Sequence, residues 1–277
     1  MQTISRLEQA AGLDRVIMAG QRVVRKLGPG RARDALHGVW LGHPLHPVLV
    51  QAPLGAWLSA AVLDLFPHGE QQSRRLVAFG LIASAPAALA GAADWSEQHE
   101  QQMRVGVVHA AANMAASSLY AASLAVPGRR AGKALRFAGL ITSGVGGLLG
   151  GHISFRQAGG ANQAEAVPHL VEPGWHDVMP AKVLRAQGVA KAMVGEVPVV
   201  AVADGSQVHV LADRCSHLSG PLSGGEVDDG CLTCPWHGST FRISDGSVVH
   251  GPATAPQPVF DTRVRRGVVQ ACLPGAG

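Results

Sequence analysis
The chain of 277 residues carries 23 Lys and Arg against 19 Asp and Glu, a formal net charge of +4, and only four cysteines. Hydrophobic residues make up 47% and charged residues 15%, with a mean hydropathy of +0.17, an odd composition for a water-soluble domain because so few residues are charged. A sequence pI of about 9.2 points to anionic headgroups or an acidic redox partner and gives no reason to invoke nucleic acid.

Residues 1–45 form a basic arm. Within it, residues 5–27 read as an amphipathic helix, with Leu7, Ala11, Leu13, Ile17, Val24 and Leu27 opposite Arg6, Arg15, Arg22, Arg25 and Lys26. Such a helix lies on an anionic membrane surface; a solvated arm is the plainer alternative. The first 45 residues are too polar for a secretory signal, and no twin-arginine leader is visible.

The apolar excess lies before residue 156, in four stretches at about 48–66, 76–93, 105–126 and 135–153. Each is near the roughly 20 residues that cross a bilayer. Within them Asp64 and Arg136 are the only charged side chains, each close to a helix end. The expectation is a four-helix transmembrane domain over 46–153, antiparallel because its loops are short. Ser143, Gly147 and Gly151 offer a small-residue seam for a neighbouring helix, and Pro86 interrupts the second span.

Histidines gather at one end of that bundle. His43 and His46 open the first span, His99 and His109 open the third, and His152 closes the fourth. Imidazoles inside a membrane domain are costly unless used. His46 or His109 paired with His152 would suit a bis-His haem b; a quinone or another metal is a second use, and helix-capping histidines at the headgroups are the structural alternative. Asn113 and Ser117 continue a polar stripe from His109.

A linker at 154–173 leads into strand-like sequence. Apolar runs at 199–202 and 208–211 flank Asp204-Gly205, and Asp229-Gly230 and Asp245-Gly246 mark two further hairpins. Two pairs then stand out: Cys215-Ser-His217 and Cys234-Pro-Trp-His237. A [2Fe–2S] centre with two thiolates on one iron and two imidazoles on the other needs this set. Structural zinc takes the same atoms, but usually pairs Cys with Cys and His with His. Cys231 and Cys272 read as structural thiols.

The flanks carry a resemblance. Cys215-Ser-His-Leu-Ser-Gly-Pro-Leu, Cys234-Pro-Trp-His-Gly-Ser-Thr-Phe-Arg and Gly251-Pro252-Ala253 closely resemble Rieske domains, over residues 174–277. The resemblance implies that Cys215 and Cys234 hold the inner iron and that His217 and His237 hold the outer, solvent-facing one. Where quinol-oxidising Rieske proteins carry a bridging cysteine pair, this chain has Gly220 and Trp236; where they carry a tyrosine donor, it has Phe241. Ser239 remains to donate to a cluster sulfur. Fewer donors imply a potential in the lower part of the Rieske range and a ferredoxin-type domain. Forty residues follow His237, too few for an oxygenase catalytic domain.

Gly42-His43-Pro44-Leu45-His46-Pro47, followed by Val50-Gln-Ala-Pro-Leu-Gly, resembles a bacterial four-helix membrane domain of unknown function. The combined expectation is an all-α four-helix transmembrane bundle followed by an all-β Rieske domain in a bacterial inner membrane. Its function is one-electron transfer to a redox partner protein or quinone; the alternative is an oxidoreductase whose helical half binds haem b or quinone. Seven Lys or Arg in the N-terminal arm and the absence of an export leader favour a cytoplasmic Rieske domain. Arg74, Arg75, Arg129, Arg130, Lys133 and Arg136, on the opposite loops, argue for the reverse orientation.

Overall fold
The computed structural model describes residues 2–26, 28 and 30–275. They form two compact units, residues 1–29 with 44–159 and residues 30–43 with 160–277. The stretch read as a single N-terminal arm is therefore divided between the two.

In the first unit, α1 (Gln2–Glu8) and α2 (Asp14–Arg25) precede the long helices. Leu27 of the expected amphipathic helix lies outside the described residues. The α2 helix buries Ile17 and packs on α7. Arg104 forms a two-pronged ion pair with Asp14 at 2.8 and 3.0 Å, and Gln21 donates to the Ser96 carbonyl at 2.9 Å. Gly20 leaves room for the Trp95 ring, which a Cβ there would meet at 2.8 Å.

The numbering continues through α3 (Arg31–His37) of the second unit to α4 (His46–Leu49) and α5 (Gln51–Leu63), then α6 (Glu70–Trp95), α7 (Glu100–Ala125) and α8 (Arg129–Gly151). The chain runs on from α8 through a π-helical turn at His152–Arg156. Among the described residues, three helices are long and apolar enough to cross a membrane: His46–Leu63, Glu70–Trp95 and Arg129–Arg156. The expected third span, α7, has the length, at 26 residues, but not the composition. Gln101, Gln102, Arg104, His109, Asn113, Ser117 and Ser118 dilute its apolar character.

The helical unit is packed with small residues inside and large ones outside. Ala60, Ala90, Ala116, Ser73, Ser123 and Ser143 are buried, whereas Leu58, Ile82, Leu89, Met114, Ile141 and Leu148 are exposed. A water-soluble bundle has the opposite arrangement; small inner residues with a large apolar exterior suit lipid. The α5 helix packs on α6 and α7 on α8, with further contacts between α6 and α7 and between α5 and α8. On α8 the close-packed seam runs through Gly139, Ser143, Gly146 and Gly150, while a Cβ on Gly147 would point into open space. The expected run of every fourth residue drifts off the contact face because a helix repeats every 3.6 residues. Asp64 and Arg136, read separately from the sequence, form a buried bidentate pair at 2.6 and 2.8 Å.

The second unit is antiparallel. One sheet has the order β1-β10-β9-β4-β3-β2 and the other β5-β6-β7-β8. The strands are β1 (His176–Pro180), β2 (Val189–Val194), β3 (Val197–Asp204), β4 (Gln207–Ala212), β5 (Glu226–Asp228), β6 (Cys231–Thr233), β7 (Thr240–Arg242), β8 (Val248–His250), β9 (Val259–Arg265) and β10 (Val268–Cys272). Short helices α9 (Val167–Leu170) and α10 (Ala181–Gln187) precede and interrupt them. The β3 strand is apolar on both faces because both are covered. Val199 and Ala201 face one core with Leu184 of α10, while Val200 and Val202 face another with Leu222, Leu232 and Phe241. All three expected hairpins form. At the second, Asp229 and Gly230 both take positive φ, 44° and 69°, as a tight two-residue turn requires.

Candidate metal centre
The two motif loops are built to one pattern. Cys215 N–H donates to Gly220 O at 2.9 Å, and Ser219 N–H donates back to Cys215 O at 2.9 Å. Cys234 N–H donates to Ser239 O at 2.8 Å, and Gly238 N–H donates back to Cys234 O at 3.1 Å. In each loop the residue four after the cysteine is left-handed, Ser219 at φ 64° and Gly238 at φ 75°. The loops leave β4 and β6 respectively, so the sheets fix both cysteines beside each other.

The sulfurs lie inside and the imidazoles nearer the surface. Cys215 and Cys234 are 1% and 3% exposed, whereas His217 and His237 are half-buried, with ring centres 5.1 Å apart and nearly perpendicular. The Cys215 thiol donates to the Cys234 sulfur, which lowers the Cys234 pKa to about 6 despite its burial; the Trp236 and His237 N–H groups add to the effect. The same contact, with burial, pushes Cys215 up, opposed by the N–H groups of His217 and Leu218. Backbone donors thus converge on both sulfurs, an arrangement that stabilises thiolate.

A third loop closes over the pair. Buried Gln257 accepts from Ser216 N–H at 3.1 Å and donates to the Ala212 and Arg214 carbonyls at 2.8 and 2.6 Å. Ser216 Oγ donates to Ala255 O at 2.8 Å. Ser239 Oγ accepts from Ala253 N–H at 3.0 Å, which leaves its own proton to be donated elsewhere. Asp34 on α3 accepts from Gly251 N–H and from His250 Nδ1, both at 2.9 Å. Neither Gln257 nor Asp34 was singled out from the sequence. Both act through backbone groups, and Asp34 is 217 residues from the glycine it holds.

Gly220 has no room for a side chain: a Cβ there would lie 2.9 Å from Cys234 Sγ and 3.1 Å from the Trp236 ring. Cys215, Cys231, Cys234 and Cys272 are free thiols. Trp236, half-exposed, stands edge-on to His237 with ring centres 6.3 Å apart.

The helical unit rearranges the expected histidine pairing. His46 and His109 come together with ring centres 6.3 Å apart. His152 joins neither: its Nε2 is hydrogen-bonded to Glu8 Oε1 at 2.8 Å, because the π-helical turn beyond α8 faces α1. The haem pairings that used His152 are therefore not formed.

Residues 174–261 match the family model of the Rieske [2Fe-2S] domain. The ferredoxin CarAc of Metapseudomonas resinovorans is 34% identical over 27% of this chain and 71% of its own length. The anthranilate 1,2-dioxygenase ferredoxin subunit of Burkholderia cepacia is 30% identical over 35% of this chain and 89% of its own. The chain belongs to the Rieske [2Fe-2S] family. Its helical half, residues 42–162, matches a second family described as a predicted membrane protein (DUF2231). Among solved structures, a complex of reduced oxygenase and oxidized ferredoxin in carbazole 1,9a-dioxygenase is similar at 28% identity, with a TM-score of 0.34 over 36% of this chain and 94% of that one.

The residues of the Rieske domain fit a [2Fe–2S] cluster. Two thiols and two imidazoles face each other as like pairs, the sulfurs are ringed by N–H donors, and Gly220 keeps side-chain atoms away from them. A sulfur pair and an imidazole pair, each made of like atoms, suit a centre with two irons.

Proposed function
We propose that the chain is a membrane-anchored one-electron carrier in which Cys215 and Cys234 hold the inner iron of the cluster and His217 and His237 the outer one. The observation that carries this is the split between buried sulfurs and half-buried imidazoles on two loops of the same construction. The bound cluster supplies a site that takes up and gives back one electron. The chain's own residues do the rest. The His217 and His237 edges face a redox partner, the backbone N–H groups and the Ser239 hydroxyl offset negative charge on sulfur, and Trp236 limits water.

The membrane domain extends over 46–153 as four spans, with α7 as the fourth member. It packs against α8 and leaves His109, Asn113 and Ser117 half-buried. Residues 154–173 link it to the Rieske domain at 174–277. The relatives are named as dioxygenase ferredoxins, which supports an oxygenase or reductase protein as partner over a small transient interface. The seven Lys or Arg before residue 45 support a cytoplasmic Rieske domain in a bacterial inner membrane. Tags at residue 165 and in the loop near residue 128, probed in sealed vesicles, test this; protection of the first with exposure of the second in right-side-out vesicles is expected.

A second reading adds a redox role for the helical half, through haem b or quinone. One observation favours it: His46 and His109 face each other inside that unit. For the main reading, purified protein with two irons and two acid-labile sulfides per chain is expected, falling to neither in the Cys234→Ser variant.

A further inference from the structure
The helical unit contains the same hairpin twice. His46 Nδ1 donates to Ala87 O at 2.8 Å, and a Cβ on Gly91, one turn beyond that carbonyl, would lie 2.7 Å from the His46 ring. His109 Nδ1 donates to Gly146 O at 2.8 Å, and a Cβ on Gly150, again one turn beyond, would lie 3.1 Å from the His109 ring. Eleven residues after each histidine comes an aromatic residue, Trp57 and Tyr120. Eleven residues before each glycine comes another glycine, Gly80 and Gly139, and each gives way to the aromatic residue of its own hairpin.

Equivalent residues of the two hairpins meet. Trp57 stacks on Tyr120 at 4.3 Å with the rings 19° from parallel, and His46 faces His109 at 6.3 Å with the rings 79° apart. Contacts between like positions mark a two-fold axis, here an approximate one running along the bundle. The spacing of four positions in each hairpin shows it.

We propose that His46 and His109 are the two axial ligands of one haem bound on this axis. The proposal rests on the second reading above and is independent of the Rieske ligands. Both imidazoles are held alike: each gives its Nδ1 proton to a main-chain carbonyl, which leaves Nε2 with the lone pair. Ligating histidines characteristically have their other nitrogen engaged in this way. Asn113 Nδ2 donates to the His109 main-chain carbonyl at 2.9 Å. Two metal–imidazole bonds of about 2.0–2.1 Å, with the ring radii added, span roughly 6 Å between ring centres, close to the 6.3 Å present.

The missing third ligand separates haem from a bare ion. Among the described residues no further His, Cys, Asp or Glu joins these two to make a group of three. A zinc or copper ion would be left with two protein ligands where it takes three or four. A porphyrin brings its own four nitrogens and needs only an axial pair. Such a pair between facing helices is a usual way for a bundle to hold a cofactor.

The test uses the full chain, purified in detergent and titrated with haemin, read by reduced-minus-oxidised spectra. One haem per chain with sharp reduced bands is expected. His46→Ala and His109→Ala should each lower haem affinity at least tenfold, while His152→Ala leaves it unchanged. His109→Met, which supplies a different axial atom of similar bulk, should retain haem with shifted bands. Helical circular dichroism and SDS unfolding of each variant report that the helical unit is folded, and the iron–sulfur signal reports that the Rieske reading stands on its own. Absence of a saturable haem spectrum while the cluster signal is intact would overturn the proposal. So would haem binding that survives both alanine substitutions, or that is lost in His152→Ala.

Discussion
Breaking the Asp64–Arg136 pair should unfold the helical half far more readily than removing it. The carboxylate and guanidinium are 2% and 1% exposed and joined by bonds of 2.6 and 2.8 Å. Asp64→Ala leaves the guanidinium buried with no countercharge, and loss of one partner of such a pair costs about 3–5 kcal/mol. Arg136→Met should cost a similar amount by stranding the carboxylate, although Lys133 still donates to the Asp64 carbonyl. Replacing both, as Asp64→Leu with Arg136→Met, removes two charges and fills the space. It should bring stability back to within about 1–2 kcal/mol of the parent, because desolvation of the pair offsets most of its attraction. The assay is unfolding in detergent by increasing SDS, followed by helical circular dichroism, with visible absorbance reporting the Rieske domain separately. A single substitution costing under about 1 kcal/mol, or a double variant as weak as the sum of the singles, would refute the reasoning.

Other substitutions test the β unit. Ser239→Ala removes a hydroxyl able to donate to cluster sulfur, so the reduced form loses more than the oxidised. The potential should fall on the order of 40 mV for a difference of about 1 kcal/mol, read by redox titration. Gly220→Ala places a methyl 2.9 Å from Cys234 Sγ and should cost about 1–3 kcal/mol with reduced iron content. Gln257→Leu strands Ser216 N–H and the Ala212 and Arg214 carbonyls. It should destabilise the Rieske domain by about 2–4 kcal/mol in thermal melts and speed cluster loss. Asp34→Ala frees Gly251 N–H and His250 and should cost about 1–2 kcal/mol in the same melt, with no effect on helical unfolding.

The cluster motif was legible because its chemistry needs two residue types at fixed local spacing, and each loop is built from its own five or six residues. The hairpins were legible for the same reason: Asp229-Gly230 and Asp245-Gly246 carry their turn in their own backbone preferences. What depended on distant partners was not. Gln257 binds main-chain groups, which every residue has, and Asp34 binds the Gly251 N–H and the His250 imidazole from far away in sequence, so no composition or spacing reveals them. The α10 helix was missed although Gly188 ends it, because seven residues are too few for a periodic pattern to stand out. In the membrane half, the length of α7 was clear, but hydropathy alone ranks its polar stripe against it. Helix direction gives the end of the bundle at which a histidine lies, not its angular position. That angle brings His46 to His109 and turns His152 toward Glu8.

The most direct test of the central claim is pulsed electron paramagnetic resonance on the dithionite-reduced full chain. The predicted result is a rhombic [2Fe–2S] signal coupled to two histidine nitrogens, with one coupling lost in His217→Cys and the other in His237→Cys. A colourless protein holding one zinc per chain, or a reduced cluster with no nitrogen coupling, would contradict it.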